Sequence, residues 1–197
     1  MHKSYPADKS KMMKNNCWYV YSHKLKTELV ITSNLEYYYW LLLEMNLDIE
    51  SFIIRPVLKE VPKKDSPHFW LIYKSGKERY VYLMNNKNNI TRFNITNSVY
   101  ISQQMIKDQG TLINHAKIIL PFLDIEPHET DIRIIKKYIN QQPKTRLTEL
   151  IGGTFSICST RIRRTIFYLI LEGSLESNIN VIDNLINLEV WTSEKLF

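Results

Sequence analysis

The chain has 197 residues, 44% hydrophobic and 23% charged, the balance of a globular protein able to bury one good core or two small ones. Only 5 Gly and 7 Pro argue against long linkers, and no apolar run approaches the roughly 20 residues of a bilayer-spanning helix, so no membrane partner is expected. A formal net charge of +6 hints at an anionic partner.

Residues 1–16 are polar and lysine-rich and read as a flexible basic arm, without the apolar core of a signal peptide. Cys17 and Cys158 match no metal-ligand spacing and read as free thiols in a reducing cytoplasm. Cys17–Tyr21 is a short aromatic segment that could lie extended on the core. Ser33 and Glu36 have the spacing of a capping box, which opens a helix reaching Met45-Asn46. Leu35, Tyr38, Tyr39, Leu42, Leu43 and Leu47 are its expected core-facing residues. Ile49–Leu58 reads as a strand, with Pro56 marking an edge or the end of regular pairing.

The most distinctive stretch is a predicted hairpin over 68–84. Its arms, Phe69-Trp70-Leu71-Ile72-Tyr73 and Arg79-Tyr80-Val81-Tyr82-Leu83-Met84, are aromatic and branched, and Gly76 sits in the polar connector. A short strand is expected at Ile90–Ile95, with helices over 98–107 and 111–120 stopped at Pro121. Helix, strand, hairpin, strand and helix together predict a mixed α/β domain over 17–124.

From residue 125 the pattern becomes helical. Helices are expected over 131–141, from Thr145 to Gly152, and from Ser159 to Glu172, the last ended by Gly173. Ser174–Glu176 and Leu188–Trp191 could pair as short strands. Three helices and a small hairpin are the order of a winged helix, predicted over 125–197. Between Asp131 and Tyr168, eight Lys or Arg residues face only Asp131 and Glu149. In the third helix Ile162, Ile166, Leu169 and Ile170 fall on one side, while Arg161, Arg164 and Tyr168 fall on another with Arg163 between. Arginines near a helix N-terminus suit a recognition helix in a major groove, the favoured reading, with a solvated basic face on a domain that packs only against protein as the alternative. Arg161, Arg163 and Arg164 are therefore candidate DNA contacts, with Lys144 and Arg146 better suited to the backbone.

In order and spacing, these stretches resemble the TnsA-like family, the endonuclease subunits of heteromeric transposases. The resemblance runs from about Asn34 to about Trp191. It rests on Leu35-Glu36 opening a helix, on Ile53-Ile54-Arg55-Pro56 where the family tends to show Gln-Pro, and on Ser66-Pro67-His68-Phe69 where it shows Pro-Asp-Phe. Ile113-Asn114-His115-Ala116 follows, and Thr145–Gly173 stands as the helix-turn-helix. It implies a restriction-endonuclease-like core of the PD-(D/E)xK type followed by a C-terminal winged helix. In that chemistry an Asp and a second acid hold Mg²⁺, and a Lys orients or activates water.

Here the chemistry looks removed. Glu36 matches the helix acid, although a capping box would require Glu without catalysis. His68 replaces the Asp, and imidazole is a poor ligand for a hard cation. The second acid and Lys would align with Val81 and Leu83 or with Tyr82 and Met84, all uncharged. The resemblance thus implies a catalytically inactive, bacterial, cytoplasmic protein, nucleoid-associated when bound to double-stranded DNA. Its implied partners are a DDE-type transposase and an AAA+ ATPase regulator, and it needs no cofactor. Two rivals stand beside this reading. One is an active Mg²⁺-dependent endonuclease with a rearranged site using Asp65 or Glu78. The other is a winged-helix regulator unrelated to transposition.

Overall fold

The computed structural model describes residues 4–7, 16–59, 61–85, 96–142, 144–153 and 156–192. They form two compact units, Met1–Gly110 and Thr111–Phe197. This division falls at 110/111, where the sequence suggested a boundary at 124/125. The helix that follows Gly110 belongs with the C-terminal elements, because His115 Nδ1 lies 3.2 Å from the Ile179 carbonyl and Phe122 packs edge-on against Phe167 at 5.4 Å.

In the first unit, β1 (Trp18–Ser22) and β2 (Thr27–Ile31) make an antiparallel hairpin. Helix α1 (Asn34–Met45) follows, with the Ser33 hydroxyl accepting the Glu36 N–H at 3.1 Å as an N-cap. The reciprocal half of the expected capping box is altered: the Glu36 carboxylate accepts from the Thr32 N–H, one residue before the cap, at 3.3 Å.

The expected apolar face of α1 is also corrected. Leu35, Tyr38, Tyr39, Leu42 and Leu47 are only half-buried, whereas Glu36, Trp40, Leu41, Leu43, Glu44 and Met45 are buried. The helix is covered on two sides, not one. Trp18 of the hairpin stacks on Tyr37 at 4.1 Å, and Tyr39 meets Phe69 of the main sheet at 5.2 Å. Buried Glu44 is tolerated because it accepts from the Ser22 hydroxyl, the Lys24 N–H and the Trp40 indole.

The main sheet has the order β3 (Ile49–Ile54), β4 (Phe69–Tyr73), β5 (Glu78–Met84), β6 (Ser98–Ser102). The first three strands are antiparallel neighbours, and β6 runs parallel to β5. Gly76, at φ +76°, turns the predicted hairpin, a left-handed conformation that glycine adopts without a Cβ clash. β3 is an edge strand, as Pro56 suggested, and ends at Ile54.

Two other expectations change. Residues 98–107 are not one helix: Ser98–Ser102 pair with β5, and only then does the Ser102 hydroxyl cap the short helix α2 (Gln103–Lys107). The branched and aromatic run Val99-Tyr100-Ile101 fits a pleated surface better than a helix. The strand expected at Ile90–Ile95 lies outside the described residues. Of the arm, Ser4 bridges Pro56 and the Tyr5 N–H donates to the Arg55 carbonyl at 2.8 Å, so this part of it is paired with the end of β3.

The second unit contains α3 (Gly110–Ile119), α4 (Glu129–Ile139), β7 (Thr145–Arg146), α5 (Leu147–Gly152), α6 (Ser159–Glu172), β8 (Glu176–Ser177) and β9 (Glu189–Trp191). Short 3₁₀ turns occur at Leu120–Asp124 and Leu185–Asn187. The three small strands form an antiparallel sheet of order β7-β9-β8. Thr145–Arg146, expected to open a helix, is one of its two outer strands. Ile162, Ile166, Leu169 and Ile170 of α6 are all buried, as their spacing predicted. The helix ends in Gly173 at φ +82°.

Candidate functional site

The end of β3 builds a cleft in the first unit. Arg55 has φ +49°, a left-handed conformation unusual for a residue with a Cβ and against the extended preference of a residue before proline. Its N–H donates to the His68 carbonyl at 2.8 Å, and its carbonyl accepts from Tyr5. These two bonds pin the backbone from both sides, which is how such strain persists. Its guanidinium then folds back under the β1–β2 hairpin. Nη2 donates to the Val30 carbonyl at 2.8 Å, and Nη1 donates to the Thr32 hydroxyl at 3.4 Å, 3.9 Å from Glu36 Oε2.

Tyr5, Pro6, Thr32, Glu36, Arg55 and His68 line this cleft, joined by Lys63, Lys64, Ser66 and Pro67 from the segment leading into β4. Its volume is about 400 Å³. The two residues that sequence matched to catalytic positions, Glu36 and His68, thus share one cleft although 32 positions separate them.

Phe69 lies opposite Val81, which puts His68 opposite Tyr82 and on the same sheet face. The family's acid and Lys, if they shared that face, would correspond to Tyr82 and Met84. Tyr82 is buried. Burial first, then Tyr100 and then Asp65, pushes its phenol up to about 12, so it stays neutral at physiological pH.

The rearranged-site candidates separate. Asp65 sits half-buried in the 3₁₀ turn Lys63–Asp65, near Tyr82. Glu78 lies opposite Ile72 at the turn end of the hairpin, about 13 Å along the strand from Tyr82 at 3.3 Å per residue.

The donor set does not fit Mg²⁺. Among the described residues no three His, Cys, Asp or Glu side chains stand together as a metal-holding group. Glu36 faces a guanidinium, a fixed cation that opposes a second one. The His68 Nδ1 accepts the Leu83 N–H at 3.1 Å, so a neutral ring carries its proton on Nε2 and offers a metal no lone pair.

In the second unit the arginines of α6 divide. Arg161 makes a two-pronged pair with buried Asp131 of α4, at 2.8 and 2.7 Å. That hydrogen-bonded pairing raises the guanidinium further above its already high value. Arg164 Nε donates to the Phe122 carbonyl at 3.2 Å. Arg163 is exposed. Lys144 and Arg146 are exposed beside β9: Lys144 Nζ is 4.7 Å from the Trp191 ring centroid, and Arg146 Nε is 3.6 Å from Glu189.

Sequence reasoning missed Arg55, Thr32 and Tyr5 as parts of the cleft. The one local signal was the Arg55-Pro56 pair at a strand end, which marks a break in pairing without saying where the guanidinium goes. Among the described residues no helix is long and apolar enough to cross a membrane. Comparison with protein-family models and with curated proteins finds no match for the chain.

Proposed function

We propose that the protein is a non-cleaving, TnsA-like subunit that binds duplex DNA and works with a DDE-type transposase and an AAA+ regulator. The observation that carries this reading is the cleft at the end of β3. Glu36 and His68, the two residues matched to the family's metal-binding positions, line it together, yet Glu36 is engaged by Arg55 and a neutral Tyr82 lies opposite His68. The helix–strand–hairpin order of the first unit supports a restriction-endonuclease-like core. The helices and small sheet of the second support a winged helix with α6 as its recognition helix.

With the guanidinium of Arg161 paired to Asp131 and that of Arg164 bonded to the Phe122 carbonyl, Arg163 is the guanidinium of α6 best able to reach a base edge, and Lys144 and Arg146 suit phosphates. Fluorescence anisotropy on duplex DNA across a salt series tests this. Arg163→Ala should weaken binding by about 1–3 kcal/mol and relax sequence preference. Lys144→Ala should weaken all sequences alike and lower the salt slope by about one unit. A nicking assay with Mg²⁺ or Mn²⁺ and the transposase present should show no cleavage attributable to this chain. Cleavage abolished by Asp65→Ala would replace the reading with an active nuclease.

One observation favours a second reading of the second unit. Between β8 and β9, Val181 and Ile186 are exposed on a segment that also carries Asp183, a poor surface for phosphate. A unit that docks on protein would use such a loop. Unchanged DNA affinity in a folded Arg163→Ala/Lys144→Ala/Arg146→Ala protein would favour it.

A further inference from the structure

The cleft of the first unit carries charge that neither the capping of α1 nor the packing of the sheet uses. Lys63 and Lys64 stand exposed on the 3₁₀ turn at its edge, and neither is ion-paired with a carboxylate among the described residues. Lys63 Nζ lies 5.7 Å from the Tyr5 ring centroid, which holds it over the cleft's lip. Arg55 also lines it, 3.9 Å from Glu36, the one carboxylate among the described lining residues. Ser66 adds a hydroxyl, and Tyr5, Pro6 and Pro67 add apolar wall. A concave site of about 400 Å³ with a few polar groups and apolar walls is of small-ligand size.

We propose that this cleft binds a phosphate monoester the size of a terminal nucleotide, with the Lys63 and Lys64 ammonium groups on the phosphate oxygens and the sugar or base against Tyr5, Pro6 and Pro67. Two compact cations at the mouth match a dianionic phosphate, and lysine binds phosphate as a point charge. Arg55, fixed by Val30 and Thr32, balances the charge of Glu36, so the net attraction comes from the two lysines. Glu36 lines the same cleft, bonded to Thr32 and 3.9 Å from the Arg55 guanidinium that balances it. The inference is independent of how the second unit is read, because the described residues that line the cleft all belong to the first unit.

The test is calorimetric titration of the full chain with a 5′-phosphorylated dinucleotide, the same dinucleotide with a 5′-hydroxyl, and inorganic phosphate. A dinucleotide is too short to report duplex binding, so failure here is distinguishable from failure of the DNA reading. The phosphorylated form should bind at least about tenfold more tightly than the hydroxyl form, the scale of one charge-assisted contact. The Lys63→Ala/Lys64→Ala protein should lose that preference while keeping its melting temperature, since both side chains are exposed. Ser75→Ala, in the turn at the other end of the hairpin, should change nothing. Equal affinity for phosphorylated and hydroxyl forms, or a preference that survives the double substitution, overturns the proposal. Inorganic phosphate binding as tightly as the phosphorylated dinucleotide overturns the nucleotide-sized assignment and leaves free phosphate as the source.

Discussion

Replacing Arg55 with alanine asks whether Glu36 is a structural carboxylate. Three interactions are lost, of which the 3.4 Å bond to the Thr32 hydroxyl is the longest hydrogen bond and adds least. The Nη2 hydrogen bond to the Val30 carbonyl is charge-assisted and worth about 1.5–3 kcal/mol. The pair with Glu36, at 3.9 Å, amounts to about 4 kcal/mol at an effective dielectric of 20 and about 1 kcal/mol in water. The Arg55 side chain is 20% exposed and that of Glu36 8%, so the pair falls between these limits, near about 2 kcal/mol.

Arg55→Ala should therefore cost about 3.5–5 kcal/mol. Arg55→Gly should cost about 1 kcal/mol less, because glycine relieves the left-handed backbone at φ +49°. Glu36→Gln keeps an oxygen for the Thr32 N–H but removes the charge facing Arg55. In that background Arg55→Ala should cost about 2 kcal/mol less than in the wild type. Urea unfolding of the four proteins at pH 7 measures the cycle. Additivity within about 0.5 kcal/mol would refute the argument, since uncoupled residues add. So would a Mg²⁺-dependent rise in wild-type stability that vanishes in Glu36→Gln, because a metal that binds only the folded state stabilises it.

Three further outcomes follow from the packing. Ser33→Ala should cost about 1 kcal/mol by urea unfolding, the usual loss of an N-cap, and Ser33→Asp should restore most of it. Ile166→Ala removes a side chain with no exposure from α6 and should cost about 2–5 kcal/mol, seen as a lower unfolding midpoint of the second unit. For pH, burial raises the Glu44 carboxyl, and the bonds from Ser22, Lys24 and Trp40 only partly counter it. A raised carboxyl penalises the folded state above its folded value, and the penalty is relieved as pH falls through that value towards the unfolded one. Ser22→Ala removes a donor to the ionised form, so its destabilisation should be largest at neutral pH and shrink as pH falls through that window. A loss that is constant from pH 7 down to about 4, near the unfolded carboxylate value, would refute this.

The kinds of element were legible in the sequence wherever the cause was local. Ser33 caps α1, Gly76 turns the β4–β5 hairpin, Gly173 stops α6, and the buried stripe of α6 follows its 3.6-residue period. Each of these depends on residues within a turn or two of one another. Tertiary structure alone decided the rest. It made Ser98–Ser102 a strand parallel to β5, grouped α3 with the C-terminal unit, and buried Glu36 and Glu44 on a helix whose apolar stripe pointed elsewhere. It also committed Arg161 to Asp131, thirty positions away, and brought Arg55 to Val30 and Thr32. A carboxylate or guanidinium is buried only where donors or acceptors from other elements converge on it, and that convergence is a property of the folded chain. Residue type and spacing name the groups able to form such pairs, but the long-range backbone path selects the pairs that form.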